Sequence, residues 1–323
     1  MGSLPRVVED CHGFIQVYSD GFIFRLDDNL INLNIALQDD GSVIWQDSVF
    51  DNRHGLSLRL YKPVSATATS KLPIVYFLHG GGFCLGSRTW HNCHNGCLRL
   101  SAALQAVVVA PDYRLAPEHR LPAAIDDSVT GLEWLRDQAK CKSLDKSFLD
   151  CADFDRVFVL GDSSGGNVAH HLAVRFGPGS IELSPVRVRG YVLLAPFFGG
   201  TERTKSEAEG EPEPILNLET LDRFWRLALP VGKKADHPFA NPFGPASPNL
   251  ELVQLDPILV MAGGRELMKD RIKDYAMRLK GLGKSVDYVE FAGKQHGFFT
   301  NDPYSDVSNQ LLQLITKFMH KTK

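Results

Sequence analysis

Short apolar, β-branched runs alternate with segments of helical period along most of this chain, and nothing else in the sequence restricts its fold as much. Residues 58–61, 74–78, 106–110, 157–160, 188–194, 258–262 and 286–291 read as strands. Helical patterns occupy about 91–104, 123–139, 166–176, 268–282 and 307–319. Strand, helix, strand is the order that joins parallel neighbours by crossovers and lays helices on both faces of a sheet. The last five runs are almost continuously apolar, as strands covered on both sides are. An α/β class with a mostly parallel central sheet is expected.

Two segments interrupt the alternation. The first 40 or so residues hold an amphipathic stretch with Leu30, Ile31, Leu33, Ile35 and Leu37, ahead of the first expected strand. Residues 199–250 open on Gly199-Gly200 and pass an acidic run with Glu207, Glu209, Glu211, Pro212, Glu213 and Pro214. They continue as a helical pattern with Leu218, Leu221, Phe224, Trp225 and Leu229, then leave through Pro238, Pro242, Pro245 and Pro248. Charge-rich, proline-containing stretches resist packing, so the acidic run is expected to be a solvated loop. Residues 1–323 are expected to form one domain, with lid segments at about 1–40 and 199–250. A chain of this length buries roughly 75% of its unfolded surface in a single unit.

Charge and cysteine content narrow the partners. Lys and Arg number 35 against 38 Asp and Glu, for a net charge of −3, and no basic block interleaves with aromatics, so no nucleic acid is expected. No stretch approaches the ~20 apolar residues that cross a bilayer. Asp10, Cys11 and His12 stand where a secretory signal would be apolar, and Arg6 stands where a myristoylation signal needs Ser or Thr. No membrane association is expected. Six scattered cysteines (Cys11, Cys84, Cys93, Cys97, Cys141, Cys151) suit a reducing compartment rather than a disulfide scaffold. The expected location is the cytoplasm and also the nucleus, and the expected state a monomer or weak homodimer.

The most specific motif is Gly161-Asp162-Ser163-Ser164-Gly165-Gly166, set between an expected strand and an expected helix. That context suits a nucleophile elbow, a sharp strained turn that exposes a serine and tolerates no Cβ two positions to either side. The following helix aims its N-terminal N–H groups at charge developing near Ser163. Directly after 74–78 comes His79-Gly80-Gly81-Gly82-Phe83, whose unobstructed N–H groups at Gly81 and Gly82, with that of Ser164, can converge on one oxyanion. No Gly-x-Gly-x-x-Gly or Gly-Lys-Ser/Thr follows, which sets aside a dinucleotide or phosphate loop.

A serine nucleophile needs a base and a group that orients it, placed after later strands in the order Ser, acid, His. His296 follows 286–291 by a few residues and is the base candidate, whereas His170 and His171 lie on the elbow helix and read as structural. Two acids follow 258–262. Glu266 lies in the loop and is preferred, and Asp270, a helical turn further on, is the alternative. His91, Cys93, His94 and Cys97 crowd one helix without converging on a tetrahedron, so no metal site is expected. The run 112–119 reads as a charged brace for the loops. Phe83, Phe198, Phe224, Phe239 and Phe298 are candidates to line an apolar pocket.

With these residues in view, the chain resembles the plant carboxylesterases of the hormone-sensitive-lipase-like branch of the α/β-hydrolases. The likeness rests on His79-Gly80-Gly81-Gly82-Phe83, Asp112-Tyr113-Arg114-Leu115-Ala116-Pro117-Glu118-His119, Gly161-Asp162-Ser163-Ser164-Gly165-Gly166-Asn167 and His296-Gly297, and it extends to Asp236-His237-Pro238 and Asn241-Pro242. Within the family it is most similar to the strigolactone-hydrolysing subgroup, by Gly86-Ser87, Val174-Arg175-Phe176-Gly177 and Phe197-Phe198-Gly199-Gly200. The resemblance implies a cofactor-free serine carboxylesterase acting on a small ester or lactone, beneath a cap built from the N-terminal segment and the insertion. One departure is Glu266, where the family usually has Asp. Related gibberellin receptors share the fold but lack the histidine, and hydroxyisoflavanone dehydratases use the same scaffold for elimination. Both are alternative functions.

Overall fold

A computed structural model describes residues 4–32, 35–67, 69–140, 146–213 and 216–322, so Leu33, Cys141 and Pro214 lie outside the described residues. In chain order the strands are β1 (Val7–Cys11), β2 (Ile15–Tyr18), β3 (Ile23–Arg25), β4 (Val43–Asp51), β5 (Leu56–Pro63), β6 (Leu72–Leu78), β7 (Val107–Pro111), β8 (Ala152–Asp162), β9 (Val188–Leu194), β10 (Ile258–Gly263) and β11 (Val286–Phe291). The helices are α1 (Asp28–Asn32), α2 (His91–Leu104), α3 (Ala123–Lys140), α4 (Lys146–Leu149), α5 (Ser164–Phe176), α6 (Lys205–Glu209), α7 (Leu218–Ala228), α8 (Lys269–Gly281), α9 (Phe298–Asn301) and α10 (Asp306–Lys321).

Eight strands form the central sheet in the order β11-β10-β9-β8-β6-β7-β5-β4. Pairing is parallel from β11 to β7, and antiparallel where β7 meets β5 and β5 meets β4. Side chains alternate across this sheet as a two-residue period demands. Ile74, Tyr76, Leu78, Val157, Val159, Leu193 and Val260 enter one core with residues of α3, α5 and α8. Val75, Phe77, Phe158, Leu160, Val192, Leu259 and Met261 enter the other with residues of α2 and α10. Both layers are buried, which explains why these strands read as continuous apolar runs.

Three expectations need correction. β11 is an edge strand, not one buried on both faces: Asp287 and Glu290 are exposed, as an unpaired edge favours. The first 40 residues also carry strands, β1 to β3, in a separate antiparallel sheet. The acidic run is only partly solvated. Glu207 is buried in a capping box with Thr204 at the start of α6 and pairs with Arg271 of α8 at 2.5 Å, while Glu213 is buried beside the histidine loop.

Candidate active site

Ser163 stands alone between the end of β8 and the first residue of α5, at φ 54° and ψ −115°. A non-glycine residue there stores on the order of 1–3 kcal/mol of strain, which surrounding bonds must hold. Ser163 N–H donates to Leu194 O at 2.9 Å, and Ser163 O accepts from Phe197 N at 2.8 Å. The flanking glycines are sterically required. A Cβ at Gly161 would sit 2.0 Å from Gly165 O, and one at Gly165 would sit 2.0 Å from Leu78 O.

The glycine loop after β6 is built on the same logic. Gly81 and Gly82 hold φ of 120° and 61°, and a Cβ on Gly82 would strike the Phe224 ring at 2.5 Å. Gly81 O accepts from the N–H groups of Cys84 and Leu85, which closes the loop on itself. Ser164 opens α5, so its N–H has no acceptor within the helix. The run 112–119 braces this loop: His79 stacks on Tyr113 at 4.2 Å, and Tyr113 OH donates to His79 O at 2.8 Å. Asp112 pairs with Arg88, Arg114 with Asp127, and Glu118 with Arg25.

Of the two acids, Glu266 meets the histidine. Its carboxylate is 1% exposed, with Oε1 accepting from Gly263 N–H at 2.6 Å and Oε2 bonded to His296 Nδ1 at 2.7 Å. An acceptor at Nδ1 puts the ring proton there and leaves Nε2 as the free base. Asp270 turns away, its Oδ2 accepting from Ser206 N–H at 2.7 Å at the start of α6. Burial works against a charged His296, but the hydrogen bond and charge of Glu266, backed by Asp162 and Glu213, raise its pKa above the ordinary value. Among the described residues no hydrogen bond joins Ser163 to His296, though both open on one cavity.

That cavity measures about 770 Å³, within the ordinary range for small-molecule sites. Ser163, Gly81, Gly82 and His296 lie on its wall with Phe197, Leu216, Leu221, Phe224 and Phe298. The expected pocket aromatics therefore divide. Phe224 and Phe298 line it, whereas Phe83 is 1% exposed and packs on Phe197 and Trp225, because its backbone turns it inward from the loop. Phe198 lies against His170 and Tyr275, and Phe239 against His171 and His237, both behind the cavity wall. No described residue of β1 to β3 lines the cavity; that sheet packs outside it. His91 bonds Ile35 O, His94 bonds Tyr61 OH, and Cys93 and Cys97 are buried in the core. Among the described residues no group of three or more His, Cys, Asp and Glu is placed to hold a metal.

One site residue had no signature in the sequence. Glu213 is 9% exposed, lines the cavity and accepts the backbone N–H of His296 on Oε1 at 3.1 Å. It is one of four glutamates at alternate positions, and only the folded segment distinguishes it.

The family described as alpha/beta hydrolase fold matches residues 75–300. Carboxylesterase 20 of Arabidopsis thaliana is 41% identical over 254 residues, covering 76% of each chain. The gibberellin receptor GID1B of the same plant is 35% identical over 299 residues, covering 93% of this chain and 78% of its own. Among solved structures, a hyperthermophilic esterase from the archaeon Pyrobaculum calidifontis superposes with a TM-score of 0.71 at 28% identity, covering 90% of this chain and 89% of that one. The match to the family over most of the strands and loops described above, and these relatives, agree: the chain belongs to the α/β-hydrolase fold family.

Proposed function

We propose that this chain hydrolyses small apolar carboxylic esters or lactones through an acyl-enzyme. The observation that carries the reading is the 2.7 Å bond between Glu266 and His296 Nδ1, opening on the same cavity as a strained Ser163. Ser163 Oγ adds to the substrate carbonyl carbon while its proton passes to His296 Nε2, and the carbonyl π pair moves onto oxygen. The N–H groups of Gly81, Gly82 and Ser164 receive that oxyanion, each worth about 10²–10³ in rate in sites of this kind. Collapse re-forms the carbonyl and expels the leaving oxygen, which takes the proton from His296. Water then repeats the sequence on the acyl group, and Glu266 stabilises the imidazolium at each transfer. The plant carboxylesterase and esterase relatives support the same reaction class.

Lactone signals of the strigolactone kind are the substrate we favour, supported by the resemblance at residues 86–87, 174–177 and 197–200 and by a cavity whose apolar lining includes Leu216, Leu221 and Phe224. A receptor that only binds its ligand has no use for a buried carboxylate on a histidine beside a serine, so hydrolysis is preferred to the receptor alternative. Hydrolysis of a chromogenic short-chain ester by the purified chain and by Ser163→Ala tests the reading. Turnover in the first and a loss of at least about 10³-fold in the second is expected. If neither chain turns over, the hydrolase reading falls, and ligand binding or elimination takes its place.

A further inference from the structure

We propose that Glu213 is a positioning residue through which the inserted lid segment supports the basicity of the catalytic histidine; this rests on the acyl-enzyme reading above. Its place in the chain is the first point. Glu213 lies a few residues before Leu216, Leu221 and Phe224, which wall the cavity, so the stretch that covers the substrate also carries this carboxylate to the histidine. The second point is its contact: Oε1 takes the backbone N–H of His296 at 3.1 Å, which fixes the main chain from which the imidazole projects. The third is charge: among the described residues Glu213 has no ion-pair partner, Arg265 on the same wall being engaged by Glu211. Burial with the charge of Glu266 raises its carboxyl above the ordinary value while the backbone N–H and ring of His296 oppose that, so its charge and that of the ring are coupled.

The groups facing His296 are Glu266 at Nδ1, Asp162 from the elbow and Glu213 from the insertion, with Arg265 and Lys294 elsewhere on the cavity wall. Asp162 is held by Thr300 Oγ1 at 2.5 Å and Glu266 by Gly263 N–H, so both belong to the fixed frame of the sheet. Glu213 is the one carboxylate of the three that arrives on the inserted segment. A negative charge near the ring favours imidazolium, the form His296 takes while the tetrahedral intermediate exists. The inserted segment thereby supplies both a charge near the base and the acceptor for His296 N–H.

Glu213→Gln retains an oxygen for the N–H and removes the charge. With a neutral chromogenic ester between pH 5 and 9, kcat is expected to fall about 3- to 10-fold with KM nearly unchanged. The acid limb of kcat/KM is expected to move about 0.5–1 unit lower, because the ring loses a group that favours its protonated form. Glu213→Asp keeps the charge and is expected to hold the limb near its original position. A limb that stays in place in Glu213→Gln overturns the proposal and leaves Glu213 a backbone tether only. If the Gln chain melts too early to assay, Glu213→Asn and Glu213→Asp form a second uncharged and charged pair: a lower limb in Asn supports the proposal, and coincident limbs overturn it. Ser163→Ala is assayed alongside. If it remains active, the acyl-enzyme reading fails and this one with it, whereas an inactive Ser163→Ala with coincident limbs overturns the role of Glu213 alone.

Discussion

At position 266 a glutamate does its holding with both oxygens, one on Gly263 N–H and one on His296 Nδ1, and this double attachment makes its length matter. Glu266→Asp withdraws the carboxylate by about 1.5 Å. We expect it to lower kcat about 10- to 100-fold, and Glu266→Ala to lower it by about 10³-fold or more, both measured on the chromogenic ester. Asp270→Ala should keep kcat within a few-fold, because that side chain serves Ser206 N–H of α6; its cost is about 1 kcal/mol of stability, read as a lower melting temperature. Loss of turnover in Asp270→Ala alone would move the acid to Asp270. The pH profile follows from the same contacts. In the proposed mechanism His296 must be neutral to accept the serine proton; burial works against its charged form, but the hydrogen bond and charge of Glu266, with Asp162 and Glu213, hold its pKa above the ordinary 6.5. The acid limb of kcat/KM should therefore have its midpoint above 6.5, and a midpoint below that value would show that burial prevails over the carboxylates.

The elements of the molecule differ in how openly their residues declare them. The central stretches of β6 to β10 are covered on both faces, so runs such as Val157–Leu160 and Val192–Leu194 are apolar and stand out in the sequence, as does the glycine spacing that β8 and α5 need to turn at Ser163. β4 and β1 to β3 do not, since solvent covers part of each strand and residues such as Gln46, Asp47, Glu9 and Asp10 break the pattern. Glu207 and Glu213 are illegible for a related reason: a glutamate is buried only where a distant element supplies a donor to it, here Arg271 and His296 N–H. Which phenylalanines face the cavity likewise depends on local loop paths, such as the inward turn at Phe83 with φ 65°, which no periodicity encodes. The turn itself is testable through its glycines. Gly165→Ala places a Cβ 2.0 Å from Leu78 O, backbone against backbone, and should cost about 3 kcal/mol or more, seen as a large fall in melting temperature. Gly281→Ala, at the end of α8 with nothing within 4 Å of the added carbon, should be neutral or stabilising by up to about 0.5 kcal/mol. Equal melting temperatures for the two variants would mean that the elbow relaxes in a way its backbone contacts do not suggest.

At the scale of the whole molecule, no described residue of the N-terminal sheet lines the cavity, yet the sheet joins two elements that do. Arg25 of β3 donates to Cys84 O at 2.7 Å and Ala116 O at 2.6 Å, gripping the loop that carries Gly81 and Gly82. On the other side Glu9 of β1 pairs with Arg223 at 3.1 Å and Arg226 at 2.9 Å, and His12 bonds Thr220 at 3.0 Å, all on α7, which presents Leu221 and Phe224 to the cavity. The sheet thus sets the distance between the glycine loop and the helix above it. Glu9→Gln should weaken that bridge by about 0.5–1 kcal/mol, a modest figure because the pair is partly exposed. We expect KM for the ester to rise about two- to five-fold with kcat little changed, and amide exchange in residues 7–25 to quicken. The sign of the pH dependence is fixed by Arg226, whose hydrogen bond outweighs burial and holds the Glu9 carboxyl below its ordinary 4.5. A depressed carboxyl stabilises fully above its unfolded value and loses that contribution only as pH falls through the lower folded one. The exchange difference between wild type and Glu9→Gln should therefore be constant from about pH 9 to pH 6 and close below 4.5. Deleting residues 1 to about 35 is the limiting case: if ester affinity survives it unchanged, the cavity keeps its width without the sheet, and α7 is held by its own core contacts instead.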